Sequence, residues 1–121
     1  VALRRAGRIA DGWISSSRFE LDKMPWAIET LRAARAEVGR TMDDFRVVMR
    51  GVVRVRAEDG ERAFTGTVEK VRRDLDTYAS YGVTELFLDL NYDEEIGSPD
   101  ADPAESLRRA HVALEAFAPV S

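Results

Sequence analysis

The sequence contains no cysteine, and this absence excludes disulfide bonds, thiolate metal sites and a cysteine nucleophile. It also lacks any apolar run of the length that a membrane span requires. Positive charge is not in excess, because 18 lysines and arginines stand against 22 aspartates and glutamates, for a net charge of −4. Nucleic acids and anionic membranes bind proteins with excess positive charge, so we expect neither as a partner. These features predict a cytoplasmic protein.

Histidine is almost absent as well, and no zinc, Ser-His-Asp or nucleotide P-loop pattern is present. The segment from Asp89 to Ile96 begins like a calcium loop. However, Glu94 stands where that loop needs glycine, and Asp100 stands where it needs a bidentate glutamate. We therefore predict a solvated acidic loop here and no metal site.

The spacing of apolar residues alternates between helical and strand periods along the chain. It predicts helices at about 2–10, 23–38, 68–81 and 104–117, and strands at 12–15, 45–56 and 85–90. Because long helices separate the strands, we expect a mainly parallel sheet with right-handed crossovers. The sequence shows no boundary within residues 1–121, which predicts a single α/β domain.

Particular residues are predicted to begin and end these helices. Asp22 and Thr67 are suited to be N-caps, since their side chains accept backbone N–H groups. Gly12, Gly39 and Gly82 follow helices and are expected to end them, since glycine accepts the left-handed backbone of a C-cap.

The inner faces of two helices are also predicted from spacing. Arg35 lies on the inner stripe of the second helix, where its stem is expected on the core and its charge at the edge. His111, the only histidine, lies beside the apolar side of the last helix, which predicts a packing role for it. That side is predicted to bury Leu107, Ala110, Leu114 and Phe117.

Arginines alternate along one side of the strand predicted at 45–56. They are compatible with a basic patch that binds phosphate or nucleic acid. The acidic total favours the other interpretation, a solvent-facing or subunit-facing side of an edge strand, where charge discourages unwanted pairing. The four residues are Arg46, Arg50, Arg54 and Arg56.

Three segments occur in an order that resembles a known family. They are ALRRAGRIADGWI at 2–14, AAR-x-x-VGR at 33–40 and GTVEKVRRDLDTYASYGVTELFL at 66–88. The chain resembles the C-terminal part of the bacterial luciferase-like monooxygenases, and within them the coenzyme F420-dependent or flavin-dependent oxidoreductases. This resemblance implies a partial TIM (β/α)8-type barrel, with about three parallel strands alternating with four helices. It also implies hydride transfer or monooxygenation with coenzyme F420 or FMN.

The resemblance assigns one cofactor-binding loop. In the family, hydroxyls and a basic residue near the loop after the DGW strand help to hold the cofactor phosphate. Hydroxyl donors and a guanidinium suit that role chemically. No catalytic residue carries over. The residues assigned are Ser15, Ser16, Ser17 and Arg18.

The resemblance also implies what is missing. A complete barrel takes about 250 residues, and this sequence lacks the early strands and the Gly-Gly phosphate loop expected before the first helix. We therefore expect no catalysis from this chain alone. The alternative is a stand-alone, non-catalytic α/β assembly module. In both cases three strands leave open edges and an uncovered face, so we expect a homodimer or cover by the missing N-terminal part of the barrel.

Overall fold

The computed structural model describes residues 1–119. Within that part, three parallel strands form one sheet in the order β1-β2-β5, and two short parallel strands, β3 and β4, form another. Together with four helices, this confirms the predicted α/β fold of a partial TIM type. The elements are α1 (Ala2–Ile9), β1 (Gly12–Ile14), a 3-10 turn (Leu21–Lys23), α2 (Met24–Glu37), β2 (Arg46–Val52), β3 (Arg54–Val55), β4 (Thr65–Gly66), α3 (Val68–Tyr81), β5 (Glu85–Asp89) and α4 (Pro103–Phe117).

The chain divides into two compact units. The first comprises Val1–Arg50 and Asp76–Phe87, and the second comprises Gly51–Leu75 and the residues from Leu88 onward. The single domain expected for residues 1–121 stays a prediction. None of the helices within residues 1–119 combines the length and the hydrophobicity that a membrane span requires.

Close packing of α1 on α2 in the first unit explains why residue 7 is a glycine. Gly7 is buried against α2. A Cβ atom at this position would lie 2.8 Å from the Cβ of Ala34 and 2.9 Å from the carbonyl oxygen of Leu31. Because any side chain would push the helices apart, only glycine allows this contact.

The structure corrects the role predicted for Gly12. The C-cap of α1 is Ala10, whose backbone is extended (φ −94°, ψ 163°), so the helix does not end on a left-handed glycine. Gly12 opens β1 instead, and a Cβ there would lie 2.9 Å from the carbonyl oxygen of Arg46 on β2. Gly39 and Gly82 do have the positive φ predicted for them, 73° and 114°.

One of the two predicted N-caps is wrong. Asp22 lies inside the 3-10 turn, and the N-cap of α2 is Lys23, without a side-chain capping bond. The prediction for Thr67 is confirmed, because its Oγ1 accepts the backbone N–H of Lys70 at 3.2 Å. The difference arises because the 3-10 turn leads straight into α2 and leaves Asp22 too early to act as a cap.

The long strand predicted at 45–56 is interrupted. β2 ends at Val52, and Val53 turns its N–H to the carbonyl oxygen of Asp89 at 3.1 Å. The two residues that follow pair with Thr65–Gly66 as β3 and β4. β2 is also the central strand of its sheet rather than the edge strand expected from its arginines.

The predicted buried side of α4 is wrong for its two leucines, whereas Ala110 and Phe117 are partly buried. Leu107 is 61% exposed and Leu114 is 55% exposed, whereas Ala113 is the buried residue of this helix. His111 is exposed too, which contradicts the packing role predicted for it. Apolar residues occur on more than one side of α4, and their spacing alone does not choose the inner one.

Candidate functional site

The sheet of the first unit has one buried and one open face. Paired residues of parallel strands point to the same side, and the register pairs Trp13 with Val47 and Ile14 with Val48. Val47 is fully buried, whereas Ile14 is about half exposed. The open face therefore carries Ile14 and Val48, and the loop after β1 begins at its carboxyl edge.

Ser15, the first predicted cofactor residue, is part of the sheet junction. It is 2% exposed. Its Oγ accepts the backbone N–H of Arg50 at 2.9 Å, and its own N–H donates to the carbonyl oxygen of Val48 at 3.0 Å. Both bonds tie the end of β1 to β2. Ser15 therefore anchors the loop, and its hydroxyl already has a partner inside the protein.

The other three predicted residues form the loop itself. Ser16 and Arg18 are exposed and Ser17 is partly exposed. The carbonyl oxygen of Ser16 accepts the N–H of Phe19 at 3.1 Å, which makes a tight turn, and the Phe19 ring packs edge-on against Trp13 at 5.4 Å between centroids. Among residues 1–119, no side chain or backbone group pairs with the Arg18 guanidinium or with the hydroxyls of Ser16 and Ser17.

Arg50 lies at the same edge, and the sequence did not connect it with this loop. Its backbone N–H bonds to Ser15, and its guanidinium lies over the ring of Phe87 at 5.1 Å from the centroid. The strand was predicted to continue to residue 56, so Arg50 was expected in its middle. β2 ends at Val52, and Arg50 is therefore near its carboxyl end. In-register alignment with β1 is the signal that would have found it.

An ion pair lies at the amino end of the same open face. Arg46 Nε and Nη2 donate to the two carboxylate oxygens of Glu85 at 2.7 and 2.5 Å. These hydrogen bonds raise the pKa of Arg46 and lower the pKa of Glu85. Arg46 is thus neutralised by its neighbour and adds no free positive charge to a patch.

The two remaining arginines of the series are also paired, in the second unit. Arg54 Nε bonds Glu94 at 3.2 Å. Arg56 Nη1 and Nη2 bond the two carboxylate oxygens of Asp93 at 3.0 and 2.8 Å. Three of the four alternating arginines therefore meet carboxylates from other segments, and these three do not form an open basic patch.

Asp93 is buried, which contradicts for this residue the solvated acidic loop that the sequence predicts. The residue is completely buried, and its Oδ1 also accepts the backbone N–H of Glu95 at 3.0 Å. Burial raises the pKa of Asp93, but the hydrogen bonds from Arg56 and from the Glu95 amide outweigh it, so the pKa lies below its ordinary value. Its carboxylate oxygens are occupied by donors. Within residues 1–119, no group of three or more possible ligands is arranged to hold a metal ion.

An open cavity of about 360 Å³ lies along β1. It extends from the residue before the strand to the last residue of the strand, so it does not include the 15–18 loop. Its lining is mostly apolar strand surface with one carboxylate and the paired Arg46. The lining residues are Asp11, Gly12, Trp13, Ile14, Arg46 and Val48.

The comparison with protein families decides the lineage. Residues 1–82 match the family model Bac_luciferase, described as luciferase-like monooxygenase. The chain belongs to the luciferase-like monooxygenase family. It therefore belongs to a family of oxidoreductases, and the match includes the loop from Ser15 to Arg18. No match was found among curated proteins or among solved structures.

Proposed function

We propose that this luciferase-like chain is the part of a flavin- or F420-dependent oxidoreductase that binds the cofactor phosphate. Its phosphate subsite is the loop Ser15–Arg18. The observation that carries the proposal is the exposed guanidinium of Arg18, which has no partner among residues 1–119 and follows the carboxyl end of β1. Carboxyl ends of barrel strands are where this fold binds its ligands.

The donor set fits a phosphate group. A guanidinium offers several N–H donors in a fixed plane and keeps its charge at all physiological pH values. The hydroxyls of Ser16 and Ser17 supply further donors on the same turn. Ser15 acts as a positioning residue, because its buried Oγ is held by the Arg50 amide. When bound, a flavin or deazaflavin would supply the hydride chemistry, and these residues would hold and orient its phosphate end.

The residues of the loop Ser15–Arg18 lack the groups that catalysis needs, so we expect that the chain does not catalyse by itself. The charged group of this loop is Arg18, and a guanidinium does not gain or lose a proton near neutral pH. Serine hydroxyls without an adjacent base are poor nucleophiles. The subsite therefore binds and orients, and a general acid or base has to come from elsewhere in a complete barrel.

The test is a fluorescence titration of the purified chain with FMN, riboflavin and coenzyme F420. Riboflavin lacks the phosphate of FMN, so it isolates the contribution of the phosphate. We expect saturable binding of FMN or F420 that Arg18→Ala weakens about tenfold, as for a charged hydrogen bond. Arg5→Ala removes another exposed arginine, from α1, and is the matched control, with no expected effect.

Equal FMN affinity in the Arg18→Ala variant and the unmodified chain would exclude this subsite. If neither FMN nor F420 binds, the second candidate function, a non-catalytic assembly module, is favoured. One observation supports that candidate, namely that Ile14 and Phe87 expose about half of their apolar side chains on the sheet. Such exposure is typical of a surface that another protein covers.

A further inference from the structure

A second cavity lies in the first unit, at the amino ends of β1 and β2. It has a volume of about 290 Å³ and is lined by polar side chains from α2 and from the segments that lead into the two strands. The loop Ser15–Arg18 follows the carboxyl end of β1, so the cavity and the proposed phosphate subsite lie at opposite ends of that strand. The cavity is therefore a separate site. Its lining residues are Asp11, Arg35, Arg40, Thr41 and Asp44.

Arg35 is the buried side chain of this cavity, with only 6% of its surface exposed. Its Nε donates to the carbonyl oxygen of Thr41 at 2.5 Å, and its Nη1 donates to the carbonyl oxygen of Ala10 at 3.1 Å. Nη2 has no hydrogen-bond partner within residues 1–119, but this atom is not sealed from solvent. It is therefore the donor that remains available to a group in the cavity.

The charge of Arg35 also lacks a counter-charge. In the described part of the chain, its guanidinium contacts carbonyl oxygens and the ring of Phe45, whose centroid is 4.7 Å away, and no carboxylate pairs with it. Buried charges are ordinarily paired, because a charge that leaves water without a partner is costly. An anionic group bound in the cavity would supply this missing pairing.

Arg40 adds a second cation to the same cavity. Its side chain is exposed and forms no hydrogen bond or ion pair with any residue from 1 to 119. Its backbone N–H donates to the carbonyl oxygen of Arg35 at 2.9 Å, which fixes the position of Arg40 just after α2. Two guanidiniums beside one cavity fit the oxygens of a carboxylate, which accepts charge-assisted hydrogen bonds from both.

Asp11 and Asp44 place negative charge on the lining as well. Neither carboxylate accepts a hydrogen bond or forms an ion pair among the described residues. Four charged groups thus line one cavity without an ion pair between them. The two carboxylates would repel a multiply charged anion such as phosphate, and they would attract a ligand that also carries a cation.

We propose that this cavity binds a small zwitterion that carries one carboxylate and one ammonium group, which is the chemistry of a free amino acid. The ligand carboxylate is held by Arg35 and Arg40, and the ligand ammonium is held by Asp11 and Asp44. The volume is at the lower end of the range for ligand pockets, so a ligand of few atoms fits it. Because so small a ligand makes few contacts, we expect weak binding.

The test is a titration of the purified, ¹⁵N-labelled chain, followed by NMR, which detects weak binding. Glycine is the probe, and acetate and methylammonium each carry only one of its two charged groups. We expect glycine to shift the amide signals of Thr41 and Asp44 saturably. Its affinity should exceed that of either single-charge probe by about tenfold or more, since both charges are then bound together.

Variants assign the binding to this cavity. Arg40→Gln and Asp44→Asn are each expected to weaken glycine binding about tenfold, because each removes one charged hydrogen bond. Arg32→Gln is the matched control with no expected effect, since Arg32 is an exposed arginine of α2 outside the cavity. All three residues are exposed, and far-ultraviolet circular dichroism shows whether each variant is folded. Arg35 is left unchanged because its hydrogen bonds hold the fold.

Three results would overturn the proposal. One is the absence of saturable shifts with glycine. Another is binding of acetate or inorganic phosphate as tight as that of glycine, which would make the cavity a simple anion site. The third is an Arg40→Gln variant that binds glycine as tightly as the unmodified chain does.

Discussion

The Oγ atom of Ser15 accepts the backbone N–H of Arg50 at 2.9 Å. This bond joins the first residue after β1 to the neighbouring strand β2. It fixes the start of the proposed phosphate loop on the sheet while leaving Arg18 exposed to solvent. The loop thus has a rigid base and a free cationic tip, which is the arrangement that pre-organised anion binding needs.

Replacing this hydroxyl should cost stability. Ser15→Ala leaves the partly buried N–H of Arg50 without its acceptor, and we expect a loss of about 1–3 kcal/mol in the free energy of unfolding. Urea denaturation followed by circular dichroism measures the change. Ser16→Ala serves as the control, since Ser16 is exposed and its change should stay within about 0.5 kcal/mol. Equal stability of the two variants would mean that the Ser15 bond contributes little.

Gly7 should tolerate no side chain. Alanine in place of glycine ordinarily stabilises a helix by about 0.5–1 kcal/mol. At Gly7 we expect the opposite sign, a loss of about 1–3 kcal/mol, because the new Cβ meets Ala34 at 2.8 Å and the Leu31 carbonyl at 2.9 Å. Thermal unfolding compares Gly7→Ala with the double variant Gly7→Ala/Ala34→Gly. Partial recovery in the double variant is expected, and a stabilised single variant would contradict the packing described for α1 and α2.

Arg35 should not be replaceable by lysine. The structure corrects the expectation that its charge lies at the edge, since the residue is only 6% exposed. Its guanidinium donates to the carbonyl oxygens of Thr41 at 2.5 Å and Ala10 at 3.1 Å, and lies 4.7 Å from the ring centroid of Phe45. Lysine cannot reproduce this planar fork, so Arg35→Lys should cost about 1–3 kcal/mol in urea denaturation.

A surface arginine of α2 provides the comparison for that substitution. Arg32 is exposed and pairs with Glu29, three residues earlier on the same helix. Arg32→Lys keeps the charge in solvent and should leave the unfolding midpoint unchanged. If both variants lose the same free energy of unfolding, the burial of Arg35 does not explain the loss in Arg35→Lys.

Acid should weaken the second unit through Asp93. The folded state lowers the pKa of this carboxyl, so its contribution to stability is complete above the ordinary value of about 4. That contribution is lost as the pH falls through the lowered pKa, because the protonated carboxyl no longer pairs with Arg56. The free energy of unfolding should therefore decrease more steeply with acid in the unmodified chain than in Asp93→Asn.

Glu94 supplies the control for the pH experiment. It lies on the same loop and pairs with Arg54, but its side chain is mostly exposed. Glu94→Gln should retain nearly the whole acid dependence of the unmodified chain, because an exposed pair contributes little. If Glu94→Gln and Asp93→Asn reduce the pH dependence of the free energy of unfolding equally, the burial of Asp93 does not explain that dependence.

Much of the architecture was predictable because it depends on local patterns. Helical and alternating apolar spacing placed the four helices, β1 and β5 close to their observed bounds, whereas β2 ends at Val52, before the predicted end at residue 56. Thr67, Gly39 and Gly82 were assigned their roles correctly, since capping involves atoms only a few residues apart. The family was recognisable for the same reason, because short ordered segments carry it.

Other residues could not be assigned from local patterns. Gly12 follows a helix and looked like a C-cap, but what requires glycine there is the carbonyl oxygen of Arg46 on another strand. Leu107 and Leu114 fitted a buried stripe, but the hydrogen bonds made by Ser106 and Arg109 turn a different side of α4 inward. In each case the deciding contact joins residues far apart in the chain.

The sequence by itself therefore determined the order and type of the main elements, the parallel sheet, the family and the residues of the proposed phosphate loop. Only the tertiary structure decided that Ser15 anchors that loop, that Asp93 is buried against Arg56 and that α4 keeps Leu107 and Leu114 exposed. The physical reason is that local spacing selects backbone conformation. Burial and hydrogen-bond pairing depend on which distant atoms the fold brings together.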